Sequence, residues 1–352
     1  MTAPYNLRTF DIFGAPLDRF HATFNCTWAR NEYGTAEWEM SCTDPKATQR
    51  NFEFGRYVLF EHARLGKWAG VIAPHDGMSG TWENTVKLRA RSGEFQFSRR
   101  QVPTYDQQSE HPGYINGTYG EILKKMIDYA NAPGDSLLRP GVIDMSGKES
   151  LEPMRDANMR DMLDRIVERT GWNWWCEPVL QNGYLRFAVN LSPRRGVDGG
   201  YTLRERVNLR KKGGDLWRRK VELVNDARVA GGNGSTPLKS YGTQTDAWSI
   251  GEYGVWQGYD TVELESQAKA QARAEELVAQ QSNPPYELLL EAIENRQSPD
   301  TFAHIGIGDV VTTRIDSARL FGSQRGINAP CSIETIEYNT KVNSCILTVE
   351  VQ

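Results

Sequence analysis

The sequence predicts a β-rich α+β protein, with two β domains flanking a small α+β insertion, and three observations predict it. Short runs with apolar residues on alternate positions fill the first hundred residues, with no helical period between them. Two well-signalled helices then fall together between residues 105 and 200, and alternation returns after residue 201. Composition agrees: only 39% of residues are hydrophobic while 10% are aromatic, so aromatic rings must carry much of the burial, and such a balance suits strands. A chain of 352 residues holds two or three domains with cores of their own.

In residues 1–104, Phe20, Ala22, Phe24, Cys26 and Trp28 alternate, and Asn31 to Gly34 makes a turn. Ala36, Trp38, Met40 and Cys42 then resume the pattern, which is an antiparallel hairpin with one wet face. A strand from Tyr57 to His62 turns at Arg64 to Lys67 into Trp68 to Ala73, and His75 to Thr81 reads as a loop. Asn84 to Arg91 sets Thr85, Lys87, Arg89 and Arg91 against Val86, Leu88 and Ala90. A small barrel or sandwich results.

Residues 105–200 open a helix with Thr118 and Glu121 as a capping box, followed by Ile122, Met126, Ile127 and Tyr129 and stopped at Asn131 to Pro133. Asp156 is expected to cap a second helix bearing Met159, Met162, Leu163, Ile166 and Val167, with Gly171 as its left-handed stop. Trp172, Trp174 and Trp175 follow, and Asn182-Gly183 joins two strands in the strongest short hairpin signal of the chain.

In residues 201–352, Tyr201 to Leu223 has β character and Gly231 to Thr236 is a flexible loop. A Trp-Ser-Ile-Gly-Glu-Tyr-Gly run from Trp248 to Gly254 then precedes a helix over 260–282. Asp260 stands at its N-cap position with Glu263 three residues on, and Asn283-Pro284-Pro285 ends it. Glu265, Lys269, Arg273 and Glu276 share its polar face. Leu264, Ala268, Ala270, Ala272, Ala274, Leu277, Val278 and Ala279 supply a small-residue side that permits close approach to a barrel or sheet. A surface helix of an ordinary α+β domain has the same pattern. Tyr286 to Ile293, a strand from Gly308-Asp309-Val310-Val311, and two strands within Cys331 to Val351 complete the chain, with Ile333, Ile336, Ile346 and Val349 as core.

The formal charge of −4 argues against a dedicated nucleic-acid binder, although one basic stripe exists. Arg204, Arg206, Arg210, Lys211, Lys212, Arg218, Arg219 and Lys220 face only Glu205, Asp215 and Glu222 over the same stretch. This is either a solvated strand face or a contact for an acidic partner, the lumen of a channel or passing nucleic acid. Five scattered cysteines without a C-x-x-C pair fit reduced thiols. The N-terminus lacks an apolar stretch of the signal-peptide kind, and no run is long enough for a membrane span, so a soluble protein is expected. His21, His62, His75, His111 and His304 lie apart, in no metal-binding spacing, and there is no phosphate loop or G-x-G-x-x-G run. No cofactor, metal or catalytic residue is assigned. Trp172, Trp174 and Trp175 make either a glycan platform or a packed seam between helices and sheet.

Three stretches in this order resemble the hub proteins at the tail tip, or baseplate, of tailed bacteriophages, a fold also found in the spike hubs of contractile injection machines. Gly55-Arg-Tyr-Val58 through Trp68-Ala-Gly-Val-Ile72 is similar to that family's first-barrel passage. Arg99-Arg-Gln-Val102, after Leu88 to Phe97, resembles its transition into the insertion. Asp246 to Gly254, the capped helix and Gly308 to Val311 look like its second-barrel segment in phages with long non-contractile tails.

The resemblance implies two tube-type β-barrels, residues 1–104 and 201–352, around the α+β insertion 105–200, with the single capped helix packed on the second barrel. It implies a non-enzymatic homotrimer, pseudo-sixfold, in the virion's distal tail after assembly in the host cytoplasm. The partners implied are the distal tail ring, the tape-measure protein and a tip or receptor-binding protein, with DNA passing through the lumen. Larger relatives carry C-terminal hydrolase or spike modules, which this chain is not expected to have. A cell-wall glycosidase or peptidase, a carbohydrate-binding module and the sixfold distal tail protein are the alternatives.

Overall fold

Alternation in the first hundred residues becomes eight strands: β1 (Tyr5–Phe10), β2 (Pro16–Phe20), β3 (Thr23–Ala29), β4 (Thr35–Ser41), β5 (Tyr57–His62), β6 (Gly66–Val71), β7 (Ser79–Gly80) and β8 (Thr85–Ser92). Short helices α1 (Gln49–Phe52) and α2 (Phe95–Ser98) interrupt and close the run. The structure is a computed structural model. It describes residues 5–73, 79–80, 84–101, 114–147, 149–153, 158–210, 217–219, 223–231, 240–262, 267–283, 286–320 and 324–352. The chain divides into two units, Met1–Lys212 with Leu290–Val349, and Gly213–Leu289 with Glu350–Gln352.

Inward-facing rings fill the first core. Phe24 stacks on Phe60 at 5.3 Å and lies 5.5 Å from Trp38, and Trp38 and Trp68 are buried. The outer face of β4 and β8 carries the cross-strand pairs Glu37–Arg89 and Glu39–Lys87 at 2.7 and 3.0 Å. Both are exposed, so each is worth at most about 1 kcal/mol. Gly34 is required where it stands: a Cβ there would fall 1.7 Å from the Thr27 carbonyl oxygen.

The insertion holds β9 (Tyr114–Thr118), α3 (Tyr119–Asn131), β10 (Leu138–Ile143), β11 (Glu149–Pro153), α4 (Met159–Thr170), β12 (Asn173–Gln181) and β13 (Tyr184–Ser192). The Thr118 box forms as predicted, Oγ1 accepting from Glu121 N at 3.3 Å and Glu121 Oε2 accepting from Thr118 N at 2.8 Å. The second helix starts later than predicted. Its cap is Asn158, paired reciprocally with Asp161, and Asp156 lies outside the described residues. Gly171 closes it with φ +66°, and Asn182 and Gly183 both take positive φ in the hairpin turn. Ile122, Met126, Met162, Leu163 and Ile166 pack with Trp174 and Phe187 in one core that also reaches Phe10, Leu59 and Phe97.

The remaining elements are β14 (Asp198–Arg204), β15 (Leu209–Arg210), β16 (Trp217–Arg219), β17 (Asp226–Gly231), β18 (Ser240–Thr245), α5 (Ala247–Tyr253), β19 (Gln257–Val262), α6 (Gln267–Gln281), β20 (Tyr286–Ile293), β21 (Val310–Leu320), β22 (Gln324–Asn339) and β23 (Ser344–Val351). A large, mainly antiparallel sheet runs in the order β15-β20-β23-β22-β3-β4-β8-β6-β5-β1-β2, with β21 on β22 and β14 parallel to β21. The 16-residue β22 pairs with β21 through its first half and with β3 through its second, joining the end of the chain to its beginning. On β23 the buried set is Cys345, Leu347 and Val349, whereas Ile346, predicted as core, points to the other face and is half-buried.

Arg30 ties three parts of the first unit together. Its Nε donates to Asn173 Oδ1 at 2.5 Å, and its terminal nitrogen reaches Glu334 Oε1 at 2.8 Å and Ser332 Oγ at 3.4 Å.

In the second unit the order is β18-β17-β19, antiparallel then parallel, with α6 laid on one face. Three predictions change here. Asp260 is not a helix cap but a residue of β19, and its carboxylate pairs with Arg273 of α6 at 2.8 Å; Glu263 lies outside the described residues. The Trp248–Gly254 run is itself a helix, α5, capped by Asp246. The predicted brace of the second barrel therefore packs on this three-stranded sheet instead.

Among the described side chains of α6 only Ala270, Ala274 and Val278 are fully turned inward, while Ala268, Ala272 and Ala279 are exposed. The small-residue reasoning holds at one point of contact. A Cβ on Gly242 of β18 would lie 2.0 Å from the Ala270 carbonyl oxygen, so helix and sheet approach more closely than any side chain permits.

Candidate interaction surfaces

The predicted basic stripe is only partly within the described residues. Arg204 ends β14, Arg206 sits in the following turn with φ +65°, and Arg210 belongs to β15; all three are exposed. Arg210 pairs with Glu291 at 3.1 Å. In the parallel ladder Arg204 stands directly opposite Arg314, also exposed, whose nearest acid is Asp316 at 3.3 Å. Arg218 and Arg219 are strand residues of β16, and Lys211, Lys212 and Lys220 lie outside the described residues.

The three tryptophans after α4 do not share an exposed face. Trp174 is fully buried, edge-on to Phe97 at 5.5 Å and under the Arg160 guanidinium at 5.2 Å. Trp175, its neighbour on β12, points to the other side of the strand beneath Arg195 at 5.1 Å. Trp172 is half-buried against Tyr119. They pack the insertion.

The exposed aromatic surface lies elsewhere and was not anticipated. Among the described residues, five of the thirteen exposed large hydrophobics fall between residues 241 and 259: Tyr241, Trp248, Val255, Trp256 and Tyr259. Trp248 meets Tyr253 edge-on at 6.1 Å, and Trp256 Nε1 donates to the Tyr253 carbonyl at 2.9 Å, so the rings are held in place. The signal is the aromatic density of this run, but a run known only as the lead-in to a helix carries no sign of which way its rings face. Within the same unit, Gln267 and Gln271 of α6 reach the backbone of β18. Gln267 Nε2 donates to Tyr241 O at 2.7 Å, and Gln271 both accepts from Thr243 N and donates to Thr243 O, at 3.2 and 3.1 Å. That edge of the small sheet is occupied by side chains.

A cleft in the first unit is lined by Trp28, Gly34, Lys67, Glu94, Cys176 and Arg195. Glu94 accepts from Ser92 Oγ and from the Cys176 backbone N–H at 2.9 Å. Burial pushes the Arg195 guanidinium down to about 10, opposed by the Glu94 charge. Burial, reinforced by Glu94, pushes the Cys176 thiol well up, the opposite of what a nucleophilic thiolate needs.

Cys26 and Cys345 are likewise buried with raised pKa, and all five cysteines are unbridged. His62 is buried, His21 and His304 are exposed, and His75 and His111 lie outside the described residues. Among the described residues no three His, Cys, Asp or Glu side chains gather as a metal site, and no helix is long and apolar enough to cross a membrane.

No protein-family model and no curated protein sequence matches the chain. Solved structures do. A 43 kDa tail protein of prophage MuSo2 from Shewanella oneidensis matches with a TM-score of 0.63 at 13% identity, over 99% of this chain and 98% of that one. A Neisseria meningitidis tail protein matches at 0.59 and 12%, covering 98% and 96%. Prophage tail protein gp18 of Listeria monocytogenes matches at 0.57 and 13%, covering 98% and 94%. An Escherichia coli type VI secretion component, described as similar to phage tail proteins, matches at 0.51 and 10% over 99% of this chain and 74% of that one. At these identities the likeness is one of fold, and it runs end to end.

Proposed function

We propose that the chain is a structural hub protein of a bacteriophage tail, three copies of which close a pseudo-sixfold ring at the distal end of the tail. Each copy contributes two tube-type barrels, one from residues 1–104 and one from 201–352, with the insertion outside them. The ring joins the distal tail ring to the tip and lines the channel through which DNA leaves. Its partners are the distal tail protein, the tape-measure protein and a tip or receptor-binding protein, and it works without catalysis.

The observation that carries this reading is the end-to-end fold likeness to three tail proteins, each covered to at least 94%. It is supported by the single sheet in which strands from both ends of the chain pair, an arrangement suited to a rigid ring segment. Buried thiols with raised pKa fit a structural role better than a cysteine-dependent peptidase.

A symmetry-resolved image of assembled tails tests it, with native mass of the purified protein alongside. Three copies around a lumen is the expected result. Six copies per ring would identify the neighbouring distal tail protein instead, and absence from the tail would remove the reading altogether. On purified peptidoglycan no lysis is expected, and lysis abolished by one carboxylate or thiol substitution would overturn the non-enzymatic part.

A further inference from the structure

Charge is unevenly divided between the two units. Gly213–Leu289 with Glu350–Gln352 holds 7 Lys and Arg against 12 Asp and Glu, a net of −5, whereas the rest holds 34 against 33, a net of +1. The acidic unit also carries the densest exposed aromatic group among the described residues. Trp248 and Glu252 are one helical turn apart on α5, and Trp256 and Tyr259 follow directly; Trp248, Trp256 and Tyr259 are 59%, 54% and 66% exposed.

The opposite chemistry occurs in the first unit. Arg204 and Arg314 are cross-strand neighbours on an exposed face, a like-charge pairing that destabilises a ladder, and Arg206 extends the same edge. Among the described residues β14 pairs with no strand but β21, and on its far side Asn208 accepts from Arg204 N at 2.6 Å and donates to Thr202 O at 3.0 Å, so what this edge offers is its arginine side chains.

Resting on the reading of the chain as a ring of identical copies, we propose that neighbouring copies meet through two different surfaces. The aromatic, acidic surface around Trp248, Glu252 and Trp256 of one copy receives the arginine edge of Arg204, Arg206 and Arg314 of the next. Guanidinium groups stack on indole faces and pair with carboxylates, and interfaces concentrate their binding energy in Trp, Tyr and Arg. The occupant is a second copy because each surface is the electrostatic complement of the other and both are on one chain. A contact between unlike surfaces builds a ring when its rotation closes, whereas a self-complementary patch stops at a dimer.

Sedimentation velocity of the full chain, at low and high salt, tests the pairing with three variants. Arg204→Glu places an acid opposite Arg314, so the fold is kept while the edge loses its charge. Glu252→Arg alters the other surface, and Trp248→Ala with Trp256→Ala removes the rings. Each is expected to weaken association on the order of tenfold or more, and Arg204→Glu combined with Glu252→Arg to recover most of it. Melting curves of each variant check that the fold is retained.

A ring unaffected by all three variants overturns this interface and leaves the hub reading standing. A wild-type protein that stays monomeric at every concentration overturns the ring reading itself. Two weakened single variants without recovery in the double overturn direct pairing. Loss of short-duplex DNA binding by Arg204→Glu with the ring intact assigns the edge to nucleic acid and also overturns it.

Discussion

Replacing Arg30 with alanine should loosen the first unit more than any other single surface-reaching change. The side chain is 31% exposed and its partner Glu334 10%, so the ion pair is half in and half out of water. A bond to a charged acceptor contributes about 1.5–3 kcal/mol and a neutral one about 1 kcal/mol. Arg30 makes the charged bond to Glu334, a short bond to the fully buried Asn173, and a long one to Ser332. Discounting the charged bond for partial exposure gives a loss of about 3 kcal/mol for Arg30→Ala.

For a unit of this size that is a fall in Tm of roughly 6 °C, read by calorimetry in the transition of the first unit. Arg30→Lys should recover less than half, since a point charge cannot span three acceptors. A double-mutant cycle with Glu334→Ala should give a coupling of about 1–2 kcal/mol. A fall below about 1 °C, or a coupling near zero, would refute the view that this side chain clamps the insertion to the sheet.

Other changes read other parts. Gly242→Ala forces a methyl into the Ala270 carbonyl and should cost about 1–3 kcal/mol in the second unit, with the first-unit transition unchanged; a silent substitution would refute the close helix–sheet contact. Thr118→Ala should cost about 1 kcal/mol through the lost cap, and Thr118→Ser almost nothing, by denaturant titration.

His62 is held neutral by burial, with Arg64 adding, and its pKa falls to about 4 from 6.5. Its folded pKa is the lower one, so only the unfolded chain takes up a proton between these values. Stability should therefore be complete above pH 6.5 and drop by up to about 3 kcal/mol as pH falls toward 4. His62→Gln should flatten that slope, and an unchanged slope would assign it to other groups.

Features resting on neighbours in sequence were readable from sequence alone. The Thr118 box, Gly171 and Asn182-Gly183 depend on a few adjacent residues and stand as predicted. Asp260 shows the limit. Asp-x-x-Glu before an alanine-rich run satisfies every local rule for a cap, yet the parallel pairing of β19 with β17 holds it extended and Arg273 takes the carboxylate. Asn158 displaced Asp156 because a cap is chosen by where the buried Met159 and Met162 need the helix to begin. Pairing between the ends of the chain, β22 on β3, has no local signature at all. For the same reason nothing local to Trp172, Trp174 and Trp175 separates a glycan platform from a packed seam, and nothing local to Trp248 and Trp256 marks them as the exposed pair.

The 16-residue β22 has a mechanical consequence. Extended, it spans roughly 50 Å of unbroken covalent backbone while laced laterally to β21 at one end and β3 at the other. Tension applied along that strand loads both ladders in shear, so many hydrogen bonds must give way together rather than one after another. Force entering β22 is thereby shared between two ladders before either yields, and the turn at Thr340 to Asn343 passes it on into β23.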